Sequence, residues 1–251
     1  KKTKTEKKNR AKKKNRRRNL HKKYKHYHHL MKKQDFTEKY VIELAKKSYE
    51  EGEVKFDINA EKCALLVIDM QDEFVKPNWS PYWVPEATRR VPQIKRLIEH
   101  CRNRKIPVIN TVYSKTHQYL DRPKTLALMP SRFPDLNIDQ SSFFISGIVW
   151  HDLEPQNDEI IIHKSAYGAF FDTPLETILK NLKKDTVIIS GTLTNYCCST
   201  TARQAYERGF KVVFGSDVTA AHFLELHEME LKILRRGFAK VMSLNQLIKT
   251  L

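Results

Sequence analysis

The chain has 251 residues, with 46 Lys and Arg against 29 Asp and Glu, a net charge of +17 and 40% hydrophobic residues. This length supports one or two domains whose cores need neither disulfides nor metals to hold them together. A basic excess is typical of proteins that bind nucleic acid or anionic membranes, so the location of the charge decides whether that class of function remains.

Most of the excess charge lies at the start of the chain. Residues 1–30 hold 15 basic residues and one acid, Glu6, which leaves residues 31–251 with a net charge of only +3. With almost no aliphatic residues, this segment is expected to be a disordered tail. It could tether the protein to RNA, DNA or anionic lipid. Alternatively it is solvated disorder or lies outside the native product, since Lys1 is not an initiator and Met31 reads like an ordinary start.

Neither a membrane segment nor a disulfide framework is evident. No window reaches the roughly 18 consecutive apolar residues of a transmembrane helix, and no apolar stretch follows the basic start as in a signal peptide. Cys63 and Cys101 lie in apolar periodic segments, whereas Cys197 and Cys198 are adjacent, which fits neither disulfides nor a zinc site. We therefore expect a cytoplasmic protein with reduced thiols.

The sequence predicts an N-terminal extension, followed by strands that alternate with helices. Residues 31–56 contain a short amphipathic helix, expected to pack on the body or on a partner subunit. On or near one face of this helix lie Tyr40, Ile42, Leu44 and Ala45. The predicted strands are 64–68, 107–112, 143–145, 160–162, 186–189, 211–214 and 239–242. The predicted helices are 91–101, 174–182, 197–208, 224–235 and a short terminal helix.

Strands that alternate with helices at this spacing predict right-handed crossovers. We therefore expect residues 57–251 to form an α/β domain, a three-layer α/β/α sandwich around a mostly parallel sheet of about six strands.

Three reactive side chains follow predicted strands. Asp69 comes directly after the first strand, Lys164 follows Ile160 to Ile162, and Cys197 lies shortly after the strand that ends near Gly191. In an open parallel sheet, ligands bind beyond the carboxyl ends of the strands, where these residues would meet. Singly, each has a plainer interpretation as a turn, surface or core residue. Together they predict an active site.

The chemistry of this trio is that of an activated nucleophile. A helix N-terminus and a neighbouring lysine are expected to lower the pKa of the Cys197 thiol. Asp69 would accept the thiol proton and later deliver it to a departing amine, while Lys164 would orient Asp69. Backbone N–H groups of the loop at residues 191–196 would stabilise the oxyanion.

Three sequence blocks also resemble a known family. LLVIDMQDEF (65–74), HKSAYGAFFDTPL (163–175) and GTLTNYCCSTTARQA (191–205) are similar to the signature blocks of isochorismatase-like cysteine hydrolases, which include nicotinamidases, N-carbamoyl amidases and ureidoacrylate amidohydrolases. The resemblance covers residues 58–251 and implies Asp69, Lys164 and Cys197 as the catalytic triad. It further implies a cis peptide at Thr192–Leu193 and an oxyanion hole formed by the N–H groups of Leu193 and Cys197.

Departures from the family pattern bear on the substrate. Nicotinamidases of this family carry an Asp-x-His metal motif after the second strand, whereas Tyr113 to His117 here provides a single histidine. The resemblance with this departure predicts no zinc, iron or other cofactor. The family's true isochorismatases commonly lack the nucleophilic cysteine, so Cys197 favours cleavage of a small linear amide, carbamoyl or ureido compound.

Aromatic residues near the motifs are candidates for the substrate pocket, because ligand sites are mostly apolar with few polar groups. The candidates are Phe74, Trp83, His117, Tyr167 and Phe170. Two other functions stay open: a nicotinamidase-type amidase, and a catalytically silent module brought to nucleic acid or a membrane by residues 1–30. The expected partners are a small amide substrate and further copies of the chain, as a dimer or tetramer.

Overall fold

The computed structural model describes residues 18–25, 36–122 and 147–251. The chain divides into two units, residues 1–47 and 48–251. Helix α1 covers residues 18–25, where every side chain is exposed, so this part of the predicted disordered tail is helical. The amphipathic helix predicted within residues 31–56 is present as α2 (Glu38–Glu51), and none of its side chains is buried. The rest of the basic tail lies outside the described residues.

The second unit is built on one sheet. Its strands are β1 (Cys63–Ile68), β2 (Val108–Tyr113), β3 (Ile160–Lys164), β4 (Thr186–Thr192), β5 (Lys211–Ala220) and β6 (Lys240–Met242). They pair in the order β3-β2-β1-β4-β5-β6, and every neighbouring pair is parallel. The predicted six-stranded parallel sheet is confirmed.

This strand order creates a switch point in the middle of the sheet. The chain winds outward from β1 through β2 to β3, then returns to place β4 on the other side of β1. The loops after β1 and β4 therefore leave in opposite directions and open a crevice at the carboxyl ends of these two strands, where parallel sheets bind their ligands.

Helices cover both faces of the sheet. They are α3 (Asp72–Val75), α4 (Pro85–Asn103), α5 (Leu175–Asn181), α6 (Ser199–Glu207), α7 (Leu224–Gly237) and α8 (Leu244–Thr250). Leu65 and Val67 of β1 pack in one apolar cluster with side chains of α4 and α8. Leu66 and Ile68 face the opposite cluster, with side chains of α5, α6 and α7. Both faces of β1 are thus buried, which explains its unbroken apolar run and confirms the three-layer sandwich.

The structure extends β5 well beyond its predicted end. β4 ends at Thr192, one residue past Gly191, whereas β5 continues through Gly215, Ser216 and Asp217 to Ala220, with a register shift between the two strands. Glycine and polar residues interrupt the apolar pattern of β5 there, so hydrophobicity alone does not reveal this part of the strand. The predicted strand 143–145 lies outside the described residues. Within the described ranges, no helix combines the length and hydrophobicity needed to cross a membrane.

Candidate active site

Asp69 sits at the carboxyl end of β1, at the switch point of the sheet. Its backbone adopts a positive φ of 49°, which turns the chain sharply as the strand ends. Its N–H donates to the carbonyl of Thr111 on neighbouring β2 (3.0 Å), and the Thr111 hydroxyl donates to Asp69 Oδ1 (2.7 Å). Both side chains are buried. The carboxylate is therefore held in one orientation from the adjacent strand.

Lys164 ends β3 and reaches across β2 to the same carboxylate. Its Nζ lies 2.7 Å from Asp69 Oδ2, with both side chains wholly buried, and it also donates to the carbonyl of Ala166 (3.0 Å). The ammonium lies 4.9 Å from the centre of the Tyr113 ring on β2. Burial opposes the charge of Lys164, but Asp69, Cys197 and Tyr113 together outweigh burial and raise the pKa of Lys164 above its ordinary value.

Cys197 lies in a single π-helical turn, Thr194–Cys198, between β4 and α6. Its side chain is buried and packs with the apolar residues under α5 and α6. The thiol interacts with both Lys164 and Asp69, so the structure brings all three predicted residues together. Isolated π-turns occur frequently at functional sites.

The expectation of a lowered thiol pKa is wrong. Burial raises the pKa of Cys197 to about 12; Lys164 lowers it and Asp69 raises it further. Cys197 lies in the π-helical turn that leads directly into α6, so the predicted position near a helix start is confirmed although the predicted direction of the pKa shift is not. The resting thiol therefore keeps its proton, and a nucleophilic role requires a base in contact with it. The Asp69 carboxylate occupies that position.

The loop at residues 192–197 carries the predicted cis peptide. The Thr192–Leu193 bond is cis, as the resemblance implies. The Leu193 carbonyl accepts hydrogen bonds from the N–H groups of Tyr196 and Cys198 (both 3.1 Å). Within the described ranges, no hydrogen bond has the Leu193 N–H as its donor. This N–H is therefore available to an oxygen atom bound beside Cys197.

The segment after β3 docks on the helix that follows the nucleophile. The Thr201 hydroxyl donates to the Cys197 carbonyl (2.7 Å) and accepts from the N–H of Ala169 (3.0 Å). The side-chain oxygen Oε1 of Gln204 accepts from the N–H of Phe170 (3.1 Å). These bonds connect the strand end that carries Lys164 to the turn that carries Cys197, and so fix the spacing of the site.

The predicted pocket residues separate into two groups. Phe74 packs in the same apolar cluster as Leu193 and Tyr113. Phe170 and the half-buried Tyr167 belong to the cluster that contains Cys197, and the Tyr167 ring lies 5.3 Å from that of Tyr196. The structure thus places Phe74 in one apolar cluster and Tyr167 and Phe170 in the other, and contact of these rings with substrate stays a prediction.

Trp83 and His117 form a different set. Trp83 donates through Nε1 to the Thr88 hydroxyl (2.9 Å). The His117 side chain is 81% exposed and pairs with Asp121 (3.2 Å). Neither has a hydrogen bond or ion pair with Asp69, Lys164 or Cys197 among the described contacts, and their role in substrate binding stays a prediction.

The surroundings of His117 bear on whether this site could hold a metal ion. No group of three or more His, Cys, Asp or Glu residues within the described ranges is arranged to hold a metal ion. The side chains described around His117, one histidine with one carboxylate, do not fit a metal centre.

Two residues in contact with Asp69 and Lys164 were not among the sequence candidates. Thr111 holds the Asp69 carboxylate, and Tyr113 covers Lys164 with its ring. Burial raises the pKa of Tyr113 to about 12, although Arg122 and Lys164 act in the opposite direction. Thr111 lies in the strand predicted at 107–112, and Tyr113 directly follows it. A hydroxyl side chain at the carboxyl end of a buried strand was the available signal.

Comparison with known proteins agrees with this geometry. A sequence model described as the isochorismatase domain matches residues 63–246. Nicotinamidase 3 of Arabidopsis thaliana is 33% identical over 197 residues, 78% of this chain and 92% of that protein. The crystal structure of a cysteine hydrolase from Pseudomonas syringae pv. phaseolicola 1448A has a TM-score of 0.71 and 26% identity, covering 80% of this chain and 97% of that one.

A second solved structure resembles the same region. N-carbamoylsarcosine amidase from Thermoplasma acidophilum has a TM-score of 0.58 and 26% identity, covering 73% of this chain and 97% of that one. The fold and the order of the three sequence blocks agree with these matches. The chain therefore belongs to the isochorismatase family of hydrolases.

Proposed function

We propose that this protein is a cysteine amidohydrolase that cleaves the C–N bond of a small amide, carbamoyl or ureido compound through a thioester on Cys197. The observation that carries the proposal is the buried contact of the Cys197 thiol with Asp69 and Lys164. A neutral thiol touching a carboxylate, which is itself held by an ammonium ion, has the parts needed for nucleophilic attack with proton transfer.

The first half of the reaction forms the thioester. The Asp69 carboxylate takes the thiol proton as the sulfur of Cys197 attacks the substrate carbonyl carbon. The resulting oxyanion is held by the N–H groups of Leu193 and Cys197. Protonated Asp69 then gives its proton to the leaving nitrogen, the C–N bond breaks, and ammonia or an amine departs.

The second half restores the enzyme. Asp69, again a carboxylate, takes a proton from water as the water oxygen attacks the thioester carbon. The C–S bond breaks, the acid product leaves, and the sulfur regains its proton from Asp69. Lys164 keeps its charge throughout, which its raised pKa favours, and stabilises the ionised form of Asp69 at each stage.

Nicotinamide is a second candidate substrate. The 33% identity to a plant nicotinamidase favours it, whereas the structural likeness to an N-carbamoylsarcosine amidase favours a linear carbamoyl compound. Because the described donors do not fit a metal centre, we assign no step to a metal ion. Turnover of nicotinamide that is lost with a chelator and restored by zinc or iron would change this assignment.

The test is release of ammonia from a panel containing nicotinamide, simple aliphatic amides, N-carbamoyl amino acids and ureido acids. Cys197→Ala should lower turnover of the preferred substrate by at least about a thousandfold. Cys198→Ala is the matched control, since Cys198 is also buried but its thiol lies 4.0 Å from the backbone carbonyl oxygen of Ser190 on β4. Mass spectrometry of the acid-quenched enzyme should show an acyl group on Cys197.

Two results would overturn the proposal. Retained turnover in Cys197→Ala would remove the thioester mechanism. Absence of turnover and of any acyl adduct in the wild type, across the whole panel, would favour the silent binding module. Binding to RNA or to anionic vesicles that weakens with salt would then support the tethering role of residues 1–30.

A further inference from the structure

A buried histidine connects the 192–197 loop to the sheet. His227 lies near the start of α7 and is one of its two buried residues, together with Leu234. Its Nδ1 lies 2.8 Å from the hydroxyl oxygen of Thr194, and its Nε2 lies 2.8 Å from the carbonyl oxygen of Ser216 on β5. The imidazole thus bridges the loop beside Cys197 and the extended part of β5.

The two contacts determine where the proton sits. A carbonyl oxygen only accepts, so Nε2 must carry the hydrogen that points at Ser216. In a neutral ring Nδ1 is then an acceptor, and the Thr194 hydroxyl donates to it. The hydrogen bonds run in one direction, from Thr194 to His227 to Ser216.

The surroundings keep the ring neutral near pH 7. Burial lowers the pKa of His227, while its bond to Ser216 acts in the opposite direction. The charged groups that act on it are Arg90 of α4, which lowers the pKa further, and Glu86 of α4 and Glu228 of α7, which raise it. Burial prevails, so Nδ1 remains an acceptor for Thr194.

Thr194 is the point through which the histidine reaches the site. It is fully buried and follows Leu193, whose N–H is the predicted oxyanion donor. On the other side of Leu193, the Thr192 hydroxyl donates to the carbonyl of Ala220 (3.3 Å). The peptide carrying the Leu193 N–H is therefore anchored to β5 twice: directly through Thr192, and through His227 by way of Thr194.

We propose that His227 is a positioning residue, which orients the 192–197 loop through Thr194 so that its N–H groups meet the substrate oxyanion. This inference rests on the proposed amidohydrolase function. Oxyanion donors act only when they are aimed at the oxygen of the transition state, and a displacement of about 1 Å can cost on the order of a hundredfold in rate. Loss of the Thr194 bond should therefore lower kcat and leave KM nearly unchanged.

Two replacements separate this role from simple support of α7. In His227→Asn, the side-chain oxygen takes the place of Nδ1 and can still accept from Thr194, but the bond to Ser216 is lost. In His227→Gln, the amide group reaches the place of Nε2 and can still donate to Ser216, but Thr194 loses its acceptor. We expect kcat to fall by at least about tenfold in His227→Gln and by less than about threefold in His227→Asn.

Thr194 supplies an independent control. Thr194→Val should lower kcat like His227→Gln, Thr194→Ser should retain it, and the double variant Thr194→Val with His227→Gln should be no slower than either single one. Additive losses, or an unchanged kcat in His227→Gln, would overturn the inference while the wild type stays active. If His227→Asn and His227→Gln lost equal amounts of kcat and equal amounts of melting temperature, His227 would provide structural support only, which would also overturn the inference. A wild type without any amide turnover would overturn the proposed function and this inference together.

Discussion

Lys164 Nζ lies 2.7 Å from Asp69 Oδ2, and neither side chain is exposed to solvent. The two residues come from strands that are not neighbours, because β2 separates β1 from β3. A buried ion pair of this kind contributes little net stability compared with apolar side chains of similar volume, but removal of one partner leaves a buried charge uncompensated. The pair is therefore better explained by the proton transfer that we propose for Asp69 than by a gain in stability.

Lys164→Met should lower the free energy of unfolding by about 3 to 5 kcal/mol at pH 7, since the Asp69 carboxylate loses its counter-charge. The double variant Asp69→Asn with Lys164→Met should recover much of this loss although it remains inactive. Urea denaturation measures both.

The exposed pair Lys180 and Glu176, 2.6 Å apart, is the matched control for the Lys164 variant. Lys180→Met should change the free energy of unfolding by no more than about 0.5 kcal/mol. If the double variant at Asp69 and Lys164 were less stable than Lys164→Met alone, the loss of stability in Lys164→Met would not be due to an unpaired charge on Asp69.

Cys101 should make the protein less stable at high pH. Burial raises the pKa of this thiol to about 12, from an ordinary value of 9.0. Between these two values the folded state keeps a proton that the unfolded chain has released, so stability is complete below about pH 9 and falls as pH rises through this window. One thiol contributes a slope of about 1.4 kcal/mol per pH unit.

Cys101→Ala tests this slope by urea denaturation. The variant should be less stable than the wild type at pH 8 because it leaves a cavity in the cluster under α4. The difference between the two proteins should shrink by about 1 kcal/mol between about pH 9.5 and pH 10.5. A gap that stays constant over this range would mean that the thiol titrates alike in the folded and unfolded chains.

The sequence was most informative where one physical rule dominates. β1 is buried on both faces, so its continuous apolar run, and Asp69 directly after it, can be predicted from the sequence alone. The carboxyl-end rule for parallel sheets then brings Asp69, Lys164 and Cys197 to one edge, and the structure places them in contact.

The sequence was least informative where the effect depends on solvent exposure and on neighbours distant in the chain. The thiol pKa of Cys197 was expected to fall because Lys164 is close, but the cost of burying a thiolate is larger and cannot be judged without the packing. Likewise, the bond from Thr111 to Asp69 joins residues 42 positions apart, and Thr111 by itself looks like an ordinary strand residue.

Thr111→Val should impair the reaction with little change in shape. The Asp69 carboxylate loses the hydroxyl that donates to Oδ1, and a hydrogen bond to a charged group is worth about 1.5 to 3 kcal/mol. We expect kcat to fall by about tenfold to a hundredfold, whereas Thr111→Ser, which restores the hydroxyl, should lie within about threefold of the wild type. Steady-state kinetics on the preferred amide measures kcat of both variants. Equal values of kcat in Thr111→Val and Thr111→Ser would show that the hydroxyl does not act on Asp69.

Gly191 is the residue of β4 at which a side chain should be least tolerated. Its φ is 109°, and an added Cβ would lie 2.0 Å from the carbonyl oxygen of Ile68 on β1. Gly191→Ala therefore adds backbone strain and forces β1 and β4 apart directly beneath Asp69 and the 192–197 loop. We expect the free energy of unfolding to fall by at least about 3 kcal/mol, with loss of activity.

Two other glycines distinguish strain from steric conflict. Gly209 also has a positive φ, 83°, but a Cβ there would meet nothing within 4 Å, so Gly209→Ala should cost only about 1 kcal/mol or slightly more. Gly237 has neither feature, and Gly237→Ala at the end of α7 should be neutral or slightly stabilising. Urea denaturation should rank the three variants in this order. A Gly191→Ala protein as stable as Gly209→Ala would show that β1 and β4 can separate without loss, and that their close approach does not hold the site in place.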